Sequence, residues 1–169
     1  SVAFDWVGTY LETRFTGGKL SVKVSETGTS YYNVFVDGKL HKVVKVCGTD
    51  TLIHLVSGID KRIHSLKIQK RSEGEFGKTT VHQFVLSGSG RLAEEPAVRT
   101  RHIEFIGNSL TCGYGTDGKH RDEPFLVETE NCNLTFASMV ARYYDADYTL
   151  IAHSGRGAAR NYGDSVRVS

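Results

Sequence analysis

Residues 31–46 read YYNVFVDGKLHKVVKV, and this stretch decides the fold of the first half of the chain. Two runs rich in aromatic and β-branched residues, 31–36 and 39–46, lie on either side of Asp37-Gly38. Both central residues of a type I′ turn need a positive φ, which Asp-Gly tolerates well. The stretch therefore predicts a tight β-hairpin.

Further strand-like runs lie on both sides of this hairpin. They are short, they are separated by turns rich in Gly, Ser and Asp, and they occupy residues 20–24, 51–56, 63–69 and 81–86. No helical period of 3.6 residues is convincing before Pro96. Short strands at regular spacing predict an antiparallel β-sandwich over residues 1–97.

The pattern changes after Pro96. Residues 102–106 (HIEFI) and 148–152 (YTLIA) predict two strands, and a helix that ends at Tyr144 is predicted between them, capped by Asn131 or Asn133. The apolar stripe expected on this helix consists of Leu134, Ala137, Val140 and Tyr144. Because a βαβ unit joins parallel strands, residues 98–169 are predicted to begin an α/β domain with a parallel sheet.

Composition excludes several classes of protein. With 169 residues, 39% of them hydrophobic, the chain can bury a core. No run approaches the ~18–20 apolar residues of a membrane span. The net charge of +2 is too small to argue for nucleic acid or an anionic membrane as a partner.

The three cysteines are Cys47, Cys112 and Cys132. They form no C-x-x-C pair, which disfavours a zinc site, and no metal or cofactor is predicted. A disulfide between Cys112 and Cys132 stays open, because spacing cannot decide it. The sequence starts at Ser1, with neither Met nor a signal peptide, which predicts a processed or trimmed product.

The two predicted parallel strands bring candidate chemistry to one edge. The first ends at Ser109 and the second at the Gly155–Gly157 loop, and ligands of open α/β sheets bind beyond such carboxyl ends. A serine hydroxyl beside backbone N–H donors is the minimum for acyl transfer. Three alternatives remain: a serine that caps a helix, glycines that only permit a tight turn, and an anion site at a helix start.

Several motifs resemble a known family. Residues 103–116 (IEFIGNSLTCGYGT) resemble the first block of the SGNH (GDSL-type) hydrolases, and residues 152–163 (AHSGRGAARNYG) extend the resemblance to carbohydrate esterase family 2. In the first part, residues 5–17, 31–38 and 67–77 also fit. The resemblance implies a jelly-roll sandwich before an SGNH domain. It also implies secreted, cell-surface or periplasmic deacetylation of xylan or a related acetylated poly- or oligosaccharide.

The resemblance also implies roles for single residues. Ser109 becomes the nucleophile, with its own N–H and that of Gly157 as oxyanion donors, or Gly155 if the loop alignment shifts by two. Tyr114, next to the nucleophile loop, is a candidate for lining the acyl or sugar pocket. Asn108 stands where the family usually has Asp, and its isosteric amide can make the same turn hydrogen bonds.

The general base is the missing part. The family's catalytic histidine lies in an Asp-x-x-His motif near the C-terminus, and no such motif follows Ser109 here. We therefore expect the N-terminal part of an esterase that is inactive alone and whose partner is its own missing C-terminal segment. His120 and His153 are the alternative bases within the sequence. The competing interpretation is a non-catalytic carbohydrate-binding module with a vestigial hydrolase lobe.

Overall fold

The computed structural model describes residues 1–166, and the chain divides into two compact units. The first unit contains Ser1–Asp5, Tyr10–Lys70 and Glu75–Val98. The second contains Trp6–Thr9, Arg71–Gly74 and the chain from Arg99 onward. Two short segments that precede Pro96 in sequence thus pack with the residues that follow it.

The first unit consists of two antiparallel sheets. Its strands are β1 (Val2–Phe4), β2 (Tyr10–Thr16), β3 (Lys19–Glu26), β4 (Thr29–Val36), β5 (Lys39–Cys47), β6 (Thr51–Ser57), β7 (Ile63–Lys70), β8 (Thr79–Ser87) and β9 (Arg91–Leu92). One sheet has the order β1-β8-β3-β6 and the other β5-β4-β7-β2-β9. This jelly-roll-like architecture confirms the predicted sandwich.

One apolar core lies between these two sheets. Both sheets contribute to it through the inward-facing positions of their strands, which are Phe15, Leu20, Val22, Val24, Tyr32, Val34, Val46, Leu55, Val56, Leu66 and Ile68. Side chains at alternate positions of a strand point to one face, so the alternating runs in the sequence place these residues inside.

The predicted hairpin forms between β4 and β5. Asp37 and Gly38 adopt φ values of 50° and 75°, as a type I′ turn requires. Asp37 also caps a neighbouring strand, because its Oδ1 accepts the Ser65 N–H at 2.9 Å. The prediction from residues 31–46 is confirmed.

A buried histidine lies beside this hairpin. His64 is 5% exposed, with Nδ1 2.7 Å from Asp37 Oδ2 and Nε2 3.0 Å from Asp60 Oδ1. The hydrogen bond to Asp37 is the main cause that raises the pKa of His64, and Asp60 adds to it against the effect of burial. The hydrogen bond from His64 lowers the pKa of Asp37 in return.

This pair makes stability depend on pH in a defined direction. A raised pKa means that the contribution of His64 is complete below its ordinary value of about 6.5 and is lost as pH rises through the folded value. We expect His64→Gln to lower Tm most near pH 6 and much less at pH 9. Calorimetry of both proteins over that range checks this, and a constant Tm difference would contradict it.

The second unit contains the predicted βαβ arrangement. Its elements are β10 (His102–Gly107), a single helical turn α1 (Ser109–Cys112), a longer helix α2 (Phe136–Tyr143) and β11 (Asp147–Ala152). β10 and β11 pair in parallel, with His102 opposite Asp147 and Gly107 opposite Ala152. The predicted parallel pairing is confirmed.

The helix differs from its predicted form. Asn131 caps a separate 3-10 turn, Cys132–Leu134, and α2 begins only after Thr135. Its buried face consists of Ala137, Ser138 and Ala141. The predicted stripe is wrong apart from Ala137, because Leu134, Val140 and Tyr144 are exposed. Residues 137, 138 and 141 form a narrow line of small side chains, which allows close packing.

No helix within residues 1–166 is both long enough and apolar enough to cross a bilayer.

Candidate active site

Ser109 is the first residue of α1, directly beyond β10. The preceding Asn108 has an extended backbone, and its Oδ1 accepts the Leu110 N–H at 3.1 Å. Asn108, and not Ser109, is therefore the residue that caps the turn, which removes the alternative of a capping serine. The amide oxygen of Asn108 thus makes the turn hydrogen bond that was expected from its similarity in shape to Asp.

The polar groups of Ser109 remain available for chemistry. Neither its hydroxyl nor its backbone N–H has a hydrogen-bond partner within residues 1–166. The first N–H groups of a helix have no intrahelical acceptor, so the Ser109 N–H is suited to hold an oxyanion. A nucleophile and one donor are thus present in the same residue.

Gly113 ends this helical turn in the left-handed conformation, with φ 86°. A side chain here would begin 2.5 Å from the Asn131 carbonyl oxygen, and the Asn131 N–H donates to the Gly113 carbonyl at 2.9 Å. Only glycine fits this position. The close approach holds the end of the Ser109 turn against the segment that precedes α2.

The second predicted element, the loop after β11, leaves the same edge of the parallel sheet. The His153 N–H donates to the Gly107 carbonyl at 3.3 Å, so this loop starts beside the residues that lead to Ser109. The Gly157 N–H donates to Asn161 Oδ1 at 3.4 Å, whereas the Gly155 N–H has no acceptor among residues 1–166. Both glycines are exposed.

Tyr114 lies next to the Ser109 turn, as the sequence indicates. Its N–H donates to the Ser109 carbonyl at 3.1 Å. Its ring stacks on Phe125, with the centroids 3.6 Å apart, and the residue stays 47% exposed. The pair presents an aromatic surface of the kind that packs against sugars or small acyl groups.

None of the seven histidines is hydrogen-bonded to the Ser109 hydroxyl within the described part of the chain. His153 Nδ1 lies 2.7 Å from the Ser154 carbonyl oxygen and 3.8 Å from Glu73 Oε2. His120 lies in an exposed turn and accepts the Glu123 N–H through its carbonyl. No histidine of residues 1–166 is therefore paired with the Ser109 hydroxyl as the base of a catalytic dyad would be.

Sequence reasoning missed Glu73, a buried carboxylate in the Arg71–Gly74 segment. Its Oε2 accepts the Ser154 N–H at 2.6 Å, and its Oε1 accepts the Ser154 hydroxyl. The Cys112 thiol also hydrogen-bonds to Glu73. One carboxylate thus contacts both the Ser109 turn and the loop after β11.

Arg71, in the same segment, was missed as well. Its side chain is 1% exposed and donates to the Glu130 carbonyl at 2.7 Å, the Glu128 carbonyl at 2.9 Å and Asp117 Oδ2 at 2.5 Å. These acceptors lie on the chain between Gly113 and α2. Arg71 therefore organises the long connection that follows the Ser109 turn.

Three buried side chains meet the distance requirement for a metal. Ligand atoms of Glu73, Cys112 and Glu130 all lie within 4.8 Å of one another. Burial is the main cause that raises the pKa of the Cys112 thiol, and the carboxylates of Glu73 and Glu130 raise it further. The thiol therefore stays protonated and donates a hydrogen bond to Glu73. A metal ion at this site would need the Cys112 thiolate as a ligand. It would also need Glu73 oxygens that already accept hydrogen bonds.

The cysteines make a simple prediction. All three are free thiols; Cys47 is exposed, whereas Cys112 and Cys132 are buried. We expect a thiol reagent such as DTNB to react rapidly with Cys47 alone in the native protein and with all three after denaturation. Recovery of only Cys47 in the denatured, unreduced protein would indicate the Cys112–Cys132 disulfide instead.

The chain is similar to known proteins over most of its length. Residues 1–96 match the family model described as carbohydrate esterase 2 N-terminal. The chain belongs to carbohydrate esterase family 2. It is 35% identical over 158 residues to the cellulase/esterase CelE of Acetivibrio thermocellus, which covers 94% of this chain and 19% of that protein.

Other members of carbohydrate esterase family 2 are similar over nearly the whole chain. An acetylxylan esterase / glucomannan deacetylase of Cellvibrio japonicus is 30% identical, covering 96% of this chain and 44% of that protein. A family two esterase from Clostridium thermocellum, solved in complex with cellohexaose, superposes with a TM-score of 0.91 at 34% identity, covering 96% of this chain and 50% of the other. The chain thus spans less than half the length of these curated relatives.

Proposed function

We propose that this chain contributes the nucleophile of a carbohydrate O-acetyl esterase. The observation that carries the proposal is the position of Ser109: directly beyond a parallel strand, with its hydroxyl and its N–H both uncommitted. Membership of carbohydrate esterase family 2 supports the reaction class. The activities for which similar proteins are named, acetylxylan esterase and glucomannan deacetylase, support the substrate class.

The proposed reaction has two halves. Ser109 Oγ loses its proton to a general base and attacks the acetyl carbonyl, and the sugar hydroxyl leaves as it takes that proton. Water then gives a proton to the same base and attacks the acetyl-enzyme, and acetate leaves as Ser109 Oγ takes the proton back. The developing oxyanion is held by the Ser109 N–H and by a donor from the loop after β11, Gly157 or the uncommitted Gly155.

The general base is proposed to be a histidine from outside residues 1–169. Two observations support this: no histidine is hydrogen-bonded to the Ser109 hydroxyl within residues 1–166, and the chain spans less than half of the curated relatives. On this proposal the 169 residues alone are inactive, and activity needs a polypeptide or an associated segment that carries the base.

The substrate is proposed to be an acetylated polysaccharide or oligosaccharide, with Tyr114 and Phe125 lining the entrance. The stack of exposed Tyr114 on half-buried Phe125, beside the Ser109 turn, supports this placement. Polysaccharides of this kind lie outside cells, so we propose a secreted, cell-surface or periplasmic location.

Carbohydrate binding without catalysis is the second candidate function. It is favoured by one comparison: a solved structure 28% identical to this chain is described as displaying divergent catalytic and non-catalytic binding functions of a carbohydrate esterase active site. An open aromatic surface beside an unactivated serine would serve binding as well as hydrolysis.

Two assays on the same protein separate these functions. We expect the complete protein to release acetate from acetylated xylan, and the 169-residue chain to release none. Retardation of the complete protein in gels containing polysaccharide is measured in parallel. Saturable retardation with no release of acetate from any acetylated polysaccharide or p-nitrophenyl acetate would contradict the esterase proposal and favour the binding module.

A further inference from the structure

Glu73 is placed unusually for a glutamate. It is 1% exposed and follows β7, yet its segment, Arg71–Gly74, packs within the second unit. Burying a carboxylate is costly unless hydrogen bonds compensate it, and an acidic residue is rarely buried without partners. The partners of Glu73 therefore indicate what the buried charge does.

Those partners lie on the two elements that carry the proposed chemistry. Cys112 belongs to α1, three residues after Ser109, and its thiol donates a hydrogen bond to Glu73. Ser154 lies one residue before Gly155 and donates both its N–H and its hydroxyl. One carboxylate thus joins the turn of the nucleophile to the loop of the oxyanion glycines.

The backbone of Glu73 is fixed in turn. Its N–H donates to Glu130 Oε2 at 2.8 Å, and the neighbouring Arg71 binds the Glu130 carbonyl. Glu130 is itself buried. The carboxylate of Glu73 therefore projects from a segment that hydrogen bonds hold in place.

We propose that Glu73 is a positioning residue for the esterase reaction: it fixes the loop after β11 relative to the Ser109 turn so that a glycine N–H meets the oxyanion formed at Ser109. The inference rests on the proposed function. Within residues 1–166 no hydrogen bond or ion pair joins Glu73 to Ser109, so Glu73 acts through Ser154 and Cys112.

The carboxylate is needed because the Ser154 N–H, the Ser154 hydroxyl and the Cys112 thiol all donate to it. An ionised glutamate offers acceptors only, whereas glutamine presents an NH₂ group on one side. In Glu73→Gln, the NH₂ group either faces the Ser154 N–H, which is another donor, or lies toward the Ser154 hydroxyl, which then has to turn and accept. Either arrangement weakens the contact that holds the loop. Misplacement of about 1 Å costs on the order of 10²-fold in rate, as does the loss of one oxyanion donor.

Glu26 provides a matched control. It is a second buried glutamate, whose oxygens accept the Thr79 hydroxyl at 2.5 Å and the Gly28 N–H at 3.3 Å, but it lies in the sandwich unit. Glu26→Gln removes the same charge and disturbs hydrogen bonds of the same kind. A purely structural effect of losing a buried carboxylate appears in both variants.

The experiment compares kcat, KM and Tm of Glu73→Gln, Glu26→Gln and the wild type in the complete protein. The substrate is p-nitrophenyl acetate, and the rates are measured at a temperature well below Tm. We expect Glu73→Gln to lower kcat about 10²-fold with KM changed less than twofold. We expect Glu26→Gln to lower Tm with kcat unchanged. The rate of Ser109 labelling by a fluorophosphonate should fall with kcat.

Ser154→Ala tests the same contact from the other side and serves if Glu73→Gln fails to fold. It should lower kcat about tenfold, and the double variant should be no slower than Glu73→Gln, because both substitutions break one interaction. Wild-type kcat in both folded single variants would overturn the positioning role, as would an equal fall of kcat in Glu26→Gln. An inactive wild type would instead overturn the proposed function itself.

Discussion

Ser109→Ala abolishes deacetylation by the complete protein and leaves its Tm unchanged; this is the largest effect that we expect. The substitution removes the nucleophilic oxygen, so no acetyl-enzyme forms. Loss of a catalytic serine typically lowers kcat by at least about 10³-fold. Stability is preserved because the hydroxyl has no hydrogen bond within residues 1–166 and alanine suits the first turn of a helix. Initial rates of acetate release measure the effect.

Ser138→Ala is the matched control for this prediction. Ser138 is buried on α2, and its hydroxyl has no hydrogen-bond partner in the part of the chain that is described. The same chemical change there should leave the rate of acetate release at the wild-type level. Wild-type turnover by Ser109→Ala would remove Ser109 from the mechanism.

Arg71→Met is the second large effect, and it acts on stability. Methionine keeps part of the aliphatic stem but removes the hydrogen bonds that Arg71 donates to the Glu130 and Glu128 carbonyls. A hydrogen bond from a charged donor contributes about 1.5–3 kcal/mol, so the loss of these two predicts a fall of about 3–6 kcal/mol in the free energy of unfolding. Asp117 is partly exposed and regains water, so it adds little. Urea unfolding monitored by circular dichroism gives the value.

Arg142→Met provides the comparison within the same unit. Arg142 is exposed and donates to Asn133 Oδ1 at 2.8 Å, a surface contact that water replaces readily. Its urea midpoint should stay close to that of the wild type. Equal midpoints for Arg71→Met and Arg142→Met would show that the buried guanidinium network does not stabilise the second unit.

The parts of the fold that local chemistry determines could be predicted from the sequence. Asp37-Gly38 identified a hairpin because two adjacent positive φ values are needed there. The strand–helix–strand pattern identified the parallel pair β10–β11, since a helix that crosses over one face of a sheet connects parallel strands.

The contacts of the site could not be predicted in the same way. Lys70, Arg71, Ser72 and Glu73 are four consecutive polar residues, a run that ordinarily indicates solvent, yet all four are buried. Partners of Lys70, Arg71 and Glu73 lie 40 to 81 residues away in sequence. No local period or motif reports such contacts.

The helix before β11 shows a second limit. A stripe of large apolar residues was expected to face the sheet, but small residues do so, and Phe136 and Met139 are exposed instead. Apolar periodicity identifies a helix and gives the buried face only where size and hydrophobicity agree. In α2, the buried face consists of the smallest side chains, which allow the helix to pack closely.

Labelling of the complete protein with a fluorophosphonate, followed by peptide mapping, tests the central claim most directly. The reagent forms a covalent bond only with an activated serine, so the identity of the labelled residue reports the nucleophile without assuming a substrate. We expect one modified peptide, the one that contains Ser109, and loss of acetate release in proportion to its modification. A label on another serine, or release of acetate by protein that is fully labelled at Ser109, would contradict the account.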